Sequence, residues 1–203
     1  SKGIFKCQII GKILDNQVTA LYNYNSHYKE KHMTQHEQIL ESMQKVREEH
    51  PYIADHRGTG YCSYASEYLR RELEKKNIDC IILGGSWFDK TPEAEAAHAY
   101  SFKLITAIPD DDSNQRLVRV KQDALKYGRL SPKSGHVVIL VGKTIYDLTS
   151  GQFNFPAIYD ISFFKKIFKK LNVCEVSIKD KDHYGVSKSY PYKETVQTAL
   201  ESW

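Results

Sequence analysis

The sequence predicts an α+β fold in a single domain of 203 residues, in which a helix packs on an antiparallel sheet. Apolar residues recur at helical spacing directly after Cys62. Later in the chain, the apolar run His136–Val141 and the segment Thr144–Thr149 are separated only by Gly142-Lys143, which is typical of a β-hairpin. A helix followed by strands and a hairpin is typical of an α+β fold.

The part of the chain before Cys62 predicts one clear element. Ile4–Tyr28 gives only short strand signals, but Thr34–Glu49 carries apolar residues at helical spacing among polar ones, and Pro51 ends that pattern. We therefore expect an exposed amphipathic helix. The loop Asp55–Tyr61 then leads into the helix that begins at Cys62.

The segments between this helix and the hairpin are less regular. Asp79–Leu83 is rich in β-branched residues and is predicted as a strand bounded by Gly84-Gly85. Ala97–Ile105 is predicted as a second strand. Arg116–Tyr127 is ambiguous.

After the hairpin, the pattern predicts a basic amphipathic helix around Ile161–Leu171, a short strand at Cys174–Ile178 and a closing helix around Lys193–Ser202. Lysines interleave with the apolar residues around Phe164, which suits contact with an acidic partner or a membrane surface. The competing interpretation is that the apolar face of this helix packs on the core.

Composition excludes several classes of function. The net charge of +4 comes from interleaved basic and acidic residues, so no nucleic-acid partner is expected. The longest apolar run, Val137–Val141, is too short for a transmembrane segment. The four cysteines form no CxxC pair, which argues against a zinc site and favours reduced thiols. No cofactor or metal is predicted.

Cys62 is the candidate nucleophile because of the sequence around it. It opens the predicted helix, and the unpaired N–H groups of a helix start lower a thiol pKa and so favour the reactive thiolate. Gly58 and Gly60 would let the preceding loop turn sharply, and the N–H of Cys62 could donate to an oxyanion. The competing interpretation is a small buried side chain, which most cysteines are.

The hairpin is predicted to bring His136 and Asp147 together. A two- or four-residue turn pairs Val138 with Asp147 and makes His136 its diagonal neighbour, with Cβ atoms about 7–8 Å apart. An aspartate at that distance can fix the imidazole tautomer and leave the other ring nitrogen to take the proton of Cys62. A three-residue turn would instead move Asp147 to the opposite face.

Two other polar residues are candidates for the site. His98 lies near the start of the predicted strand Ala97–Ile105 and has acids downstream at Asp110–Asp112, so it is the second candidate for the base. Those acids are typical of a solvated turn. Gln152 could orient a catalytic side chain or line the cleft, although a surface position is the competing interpretation.

Three segments together resemble the papain-like and transglutaminase-like superfamily of cysteine enzymes. They are Gly-Tyr-Cys-Ser-Tyr-Ala at 60–65, Gly-His-Val-Val-Ile-Leu-Val-Gly at 135–142, and Ile-Tyr-Asp-Leu-Thr-Ser-Gly-Gln-Phe at 145–153. The resemblance covers residues 55–155. It implies a nucleophile helix packed on an antiparallel sheet, with Cys62 as nucleophile, His136 as base and Asp147 as the residue that orients the base.

The resemblance also implies a position for His56, which lies where papain-type enzymes place their oxyanion glutamine. A histidine there departs from the family pattern. Members of the superfamily include cysteine peptidases, transglutaminases and bacterial toxins or effectors that deamidate glutamine in host proteins. The resemblance therefore implies a protein substrate, and for the effector type a domain that a bacterium secretes into the cytoplasm of a host.

The expected activity is cysteine-dependent hydrolysis of an amide through a thioester, by glutamine deamidation or by proteolysis. An amine as acceptor would instead give transglutamination or acyl transfer with the same residues. A third expectation, of a different class, is a papain-like module without catalysis that binds a partner while Cys62 stays merely buried.

Overall fold

The computed structural model describes residues 33–55, 60–110, 115–131, 135–180 and 183–193. By its contacts the chain divides into two units, Ser1–Glu41 and Ser42–Trp203, and the second unit contains the sheet and the site. Helices and strands are mixed, as predicted. The described helices are α1 Gln35–Glu49, α2 Tyr52–Asp55, α3 Cys62–Lys75, α4 Pro92–Thr106, α5 Gln115–Tyr127 and α6 Ile161–Ile167, with a 3-10 turn at Ser150–Gln152. The described strands are β1 Ile81–Phe88, β2 Gly135–Val141, β3 Thr144–Tyr146, β4 Ile158–Asp160, β5 Phe168–Ile178 and β6 Tyr184–Pro191.

Helix α1 begins with a capping box that its sequence contains. The hydroxyl of Thr34 accepts from the N–H of Glu37, and the carboxylate of Glu37 accepts from the N–H of Thr34 at 2.7 Å. These reciprocal bonds satisfy N–H groups that a helix start leaves unpaired. The helix predicted over Thr34–Glu49 is therefore confirmed.

Within the described parts of the chain, no helix is long and apolar enough to cross a bilayer.

Helix α3 places Cys62 at its first position and packs on the sheet through a buried face. Ala65, Leu69 and Leu73 on that face are almost fully buried. The hydroxyl of Ser66 donates to the carbonyl of Val137 in β2 at 3.0 Å. This bond joins the second turn of the helix to the strand that carries the candidate base.

The six described strands form one antiparallel sheet in the order β4-β3-β2-β1-β5-β6. Its central pair joins β1 to β2, with Leu83 opposite Val138. These two residues lie in the main core with Phe164 and Phe168, each of which is at most 2% exposed. The core and the sheet thus surround the end of β2 at which His136 lies.

Strand β1 continues through the glycines that were expected to end it. It runs to Phe88, and Gly84 and Gly85 pair with residues of both neighbouring strands. A Cβ on Gly85 would come within 2.4 Å of the Phe168 ring, and one on Gly84 within 2.5 Å of the Cys174 sulfur. The glycines therefore admit neighbouring side chains close to the strand, and they do not form a turn.

The predicted strand Ala97–Ile105 is wrong, because this segment lies in helix α4. The side chain of Thr91 caps the helix by accepting from the N–H of Ala94 at 3.2 Å, and Pro92 takes the first helical position. Threonine followed by proline and acidic residues is a helix-start signal that outweighs the short apolar alternation. The ambiguous stretch 116–127 is likewise helical and belongs to α5.

The basic helix predicted over Ile161–Leu171 is too long by one turn. Helix α6 ends at Ile167, and Phe168 adopts an extended conformation and begins β5, where it pairs with Phe88. Phe164 is fully buried against Phe168, so the apolar residues pack on the core. Lys165 and Lys166 lie in α6, whereas Lys169 and Lys170 lie in β5, so these four lysines do not form one basic helix face. The expected closing helix lies outside the described residues apart from Lys193.

Candidate active site

The hairpin of β2 and β3 has the predicted two-residue turn. Val141 pairs with Thr144 and Ile139 with Tyr146, and Gly142 in the turn adopts a φ of 57°, which glycine accommodates readily. Continuing this register by one residue places Val138 opposite Asp147. His136 and Asp147 are therefore diagonal neighbours on one face of the hairpin.

His136 and Asp147 are hydrogen-bonded in the interior of the protein. The Nε2 atom of His136 lies 2.6 Å from Oδ2 of Asp147, and their side chains are 0% and 1% exposed. A bond this short between buried groups is characteristic of a charge-assisted pair. It orients the ring and leaves its Nδ1 atom free of Asp147.

The carboxylate of Asp147 is held by further donors on both oxygens. Oδ1 accepts from the N–H of Thr149 at 2.9 Å and from its hydroxyl at 3.2 Å. The hydroxyl of Tyr159 in β4 donates to Oδ2 at 3.1 Å. Burial and the adjacent carboxylate raise the pKa of Tyr159, which keeps it a donor. These bonds fix the orientation of the acceptor that faces His136.

Cys62 also interacts with His136. Burial raises the pKa of its thiol, but a hydrogen bond to His136, the charge of His136, the N–H of Val137 and the charge of Arg116 outweigh burial and lower the pKa below its ordinary value. The other two described cysteines behave differently. Burial raises the pKa of Cys80 to about 12 and that of Cys174 to about 11. Among these described thiols, only that of Cys62 is shifted towards the thiolate.

The pKa of His136 moves in the complementary direction. Burial lowers it, but the charge of Asp147, the hydrogen bond to Asp147 and the interaction with Cys62 raise it to about 9. A raised histidine pKa beside a lowered thiol pKa favours a thiolate–imidazolium pair. The arrangement can therefore supply a nucleophile and a proton donor at neutral pH.

Gln152 and a group of aromatic rings complete the surroundings of His136. The amide nitrogen of Gln152 lies 2.5 Å from Nδ1 of His136, and the side chain is buried. The ring of Phe153 packs edge-on against the imidazole at a centroid distance of 4.8 Å. Phe164 and Phe168 lie slightly farther away, so apolar rings exclude water from this side of the histidine.

A cavity of about 380 Å³ opens beside these residues. Cys62, His136 and Gln152 line it together with the guanidinium-bearing Arg116, and glycines of β1 form part of its wall. This volume is within the range of small-molecule and side-chain pockets. A substrate group of that size can thus reach the thiol.

The remaining candidates lie elsewhere. His98 is on α4 with its ring packed edge-on against Phe88 at 5.0 Å, and the imidazole that interacts with Cys62 is that of His136. The expectation that His98 lies near the start of a strand is wrong. His56 lies outside the described residues.

Across the described ranges, no group of three or more His, Cys, Asp or Glu side chains is placed to hold a metal ion.

Sequence reasoning missed three contributors to the site. Thr149 follows Asp147 by two residues, and this spacing is typical of an Asx turn, so it could have been found. Tyr159 and Arg116 reach the site from β4 and α5. Their roles depend on tertiary packing, and no local pattern indicates them.

Comparison with known proteins yields no relative: no family model, no curated protein and no solved structure matches this chain.

Proposed function

We propose that this chain is a cysteine-dependent amide hydrolase that acts on proteins, as a glutamine deamidase or a cysteine protease. Cys62 is the nucleophile, His136 the general acid and base, and Asp147 the residue that orients His136. The observation that carries the proposal is the buried imidazole of His136, which bonds Asp147 at 2.6 Å and interacts with a helix-opening thiol of lowered pKa.

The proposed reaction begins from the thiolate–imidazolium pair. The sulfur of Cys62 attacks the carboxamide carbon, and the carbonyl π electrons move to oxygen and form an oxyanion. When the C–N bond breaks, Nδ1 of His136 gives its proton to the leaving nitrogen, and a thioester remains. Water then attacks the thioester while His136 takes its proton, and the carboxylic acid and the Cys62 thiolate are released.

The start of helix α3 supplies a donor for the oxyanion. The N–H of Cys62 belongs to the first helical turn, whose N–H groups have no acceptor within the helix. We assign this N–H to the developing negative charge, since such donors contribute a large share of catalysis in acyl transfer. The same helix start favours the thiolate through its dipole.

The fold we propose for this activity is a papain-like or transglutaminase-like core. Three features support it. The nucleophile lies at the start of α3, and α3 packs on the sheet through Ser66. His136 lies in β2, and Asp147 directly follows the adjacent antiparallel strand β3. In this proposal the basic lysines near Phe164 are part of the surface, and the substrate enters at the cavity beside Cys62.

The test is mass spectrometry of protein mixtures incubated with the chain in water enriched in heavy oxygen. Deamidation would convert a glutamine to a glutamate and add about one mass unit, in addition to the mass of the heavy oxygen isotope. Proteolysis would give new termini. Both reactions would incorporate heavy oxygen from water when the thioester is hydrolysed. An amine-linked product would identify acyl transfer instead. The control variants are Cys62→Ser, which should abolish every product, and Cys80→Ser, which should not. Products that persist undiminished with Cys62→Ser would overturn the proposal.

A further inference from the structure

Gln152 is a buried polar residue that contacts His136 on the nitrogen opposite Asp147. Its side chain is 5% exposed, and its amide lies 2.5 Å from Nδ1, the atom that must carry the transferred proton. We propose that Gln152 is a positioning residue whose amide follows the proton on Nδ1 of His136, accepting from the imidazolium and donating to the neutral ring. This inference rests on the proposed function and deepens it.

Backbone hydrogen bonds hold the segment around Gln152 in place. Gln152 ends a 3-10 turn in which its N–H donates to the carbonyl of Thr149 at 3.1 Å. The N–H groups of Phe153 and Phe155 both donate to the carbonyl of Ser150 at 3.1 Å. Because Asp147 lies just before this turn, one short segment presents a partner to each nitrogen of the His136 ring.

The other charged or titratable groups around His136 cannot replace this contact. Asp147 occupies Nε2, and Tyr159 reaches the ring only through Asp147. Cys62 approaches from α3 and is itself the reacting group, while Arg116 from α5 acts on Cys62 through its charge. The packed rings of Phe153, Phe155, Phe164 and Phe168 offer apolar surface.

A carboxamide is suited to this position because it can act in both ways. The orientation with the amide nitrogen at Nδ1 suits the neutral ring, because the NH₂ group donates to the ring lone pair. When Nδ1 carries a proton, half a turn of the amide presents its oxygen, which accepts a hydrogen bond from the ring N–H. No covalent bond to Gln152 forms or breaks. The ring of His136 therefore has a hydrogen-bond partner on Nδ1 in both protonation states, and it stays oriented towards Cys62.

The charged state should benefit more from this contact. Hydrogen bonds to ionised groups are stronger than those between neutral groups, so the amide favours the imidazolium over the neutral ring. Removing it should lower the pKa of His136, and replacing it by a carboxylate should raise it. If Gln152 served only to fill space, Gln152→Met would leave the pKa of His136 unchanged.

The experiment measures the pKa of His136 by NMR of isotope-labelled imidazole in the full chain. Gln152→Met keeps the volume and should lower the pKa from about 9 by about half a unit to one unit. Gln152→Glu should raise it. Gln122→Met, at an exposed glutamine of α5, should leave it unchanged.

A second readout is the rate at which iodoacetamide alkylates Cys62 near neutral pH. Gln152→Met should slow this rate about threefold to tenfold, because a weaker imidazolium supports less thiolate. If the pKa of His136 is the same in both Gln152 variants as in the unaltered chain, this inference is overturned while the proposed function stands. If Cys62 of the unaltered chain reacts no faster than Cys80 and Cys174, the proposed function itself fails.

Discussion

At the scale of the residue, Asp147 shows how a local pattern becomes a defined acceptor. It follows β3 directly, and the turn that contains Thr149 wraps around its Oδ1 atom. The other oxygen is left for His136 and Tyr159. Since each of these donors is buried, rotation of the carboxylate would leave a polar group without a partner inside the protein, which is costly. The orientation of His136 follows from that constraint.

The variant Asp147→Asn separates charge from shape. Asparagine fits the same space but removes the negative charge that raises the pKa of His136 above its ordinary value of 6.5. The pKa of His136 should therefore fall, and less Cys62 should be ionised at neutral pH. We expect alkylation of Cys62 by iodoacetamide to slow by about tenfold or more.

The matched control is Asp123→Asn, which changes an exposed aspartate of α5 by the same atoms and should leave the alkylation rate unaltered. An Asp147→Asn protein that folds normally and alkylates at the unaltered rate would contradict the role of Asp147.

The sequence could predict this pair because hairpin register follows from turn length alone. Two residues separate β2 from β3, so the faces of His136 and Asp147 are determined before any tertiary contact is known. The contact of Gln152 with Nδ1 could not be derived in the same way. It depends on the 3-10 turn at 150–152, for which the sequence gives no periodic signal.

At the scale of the element, strand β1 depends on its two glycines. Gly85 pairs with His136 on one side and with Leu171 on the other, and the Phe164 and Phe168 rings pack against its Cα face. Sequence reasoning treated the glycines as the end of the strand because glycine is rare inside strands. The reason for their presence is close packing by residues more than 75 positions away in the chain, which local patterns do not reveal.

The variant Gly85→Ala tests this packing. Its new methyl group would lie 2.4 Å from Cγ of Phe168 and 2.7 Å from Cε1 of Phe164, so the core would have to shift. We expect the free energy of unfolding, measured with urea, to fall by about 1–3 kcal/mol.

Gly185→Ala in β6 is the matched control, because a Cβ there meets no atom within 4 Å. Its free energy of unfolding should change by less than about 0.5 kcal/mol. Equal stability of the two variants would contradict the packing account of β1.

At the scale of the whole molecule, the α+β class was predictable and the strand order was not. Periodicity identified α1, α3 and the hairpin, because each is a local pattern. The pairing of β1 with β5 joins segments about 80 residues apart, and it converts the end of a predicted basic helix into a strand. Helix α4 was predicted as a strand over Ala97–Ile105, because the helix-start signal at Thr91 and Pro92 lies before that segment.

This long-range arrangement gives the candidate site its chemistry. Strand β2 of the sheet places His136 near the start of α3. The aromatic rings of the core exclude water from the histidine. Burial alone would lower the pKa of His136 and raise that of Cys62. Both shifts have the opposite sign, because the two groups interact with one another and with Asp147. The lowered pKa of Cys62 and the raised pKa of His136 are therefore properties of the assembled fold.

The pH dependence of cysteine alkylation tests this central claim most directly. In the folded chain, iodoacetamide should label Cys62 faster near neutral pH than Cys7, Cys80 or Cys174, and the acid-side midpoint of its rate should lie below the ordinary thiol pKa of 9.0. In the variant His136→Ala, which removes the imidazolium, the midpoint should return to 9.0 or above. The account is contradicted if Cys62 of the unaltered chain is labelled no faster than the other cysteines, or if its midpoint is the same with and without His136.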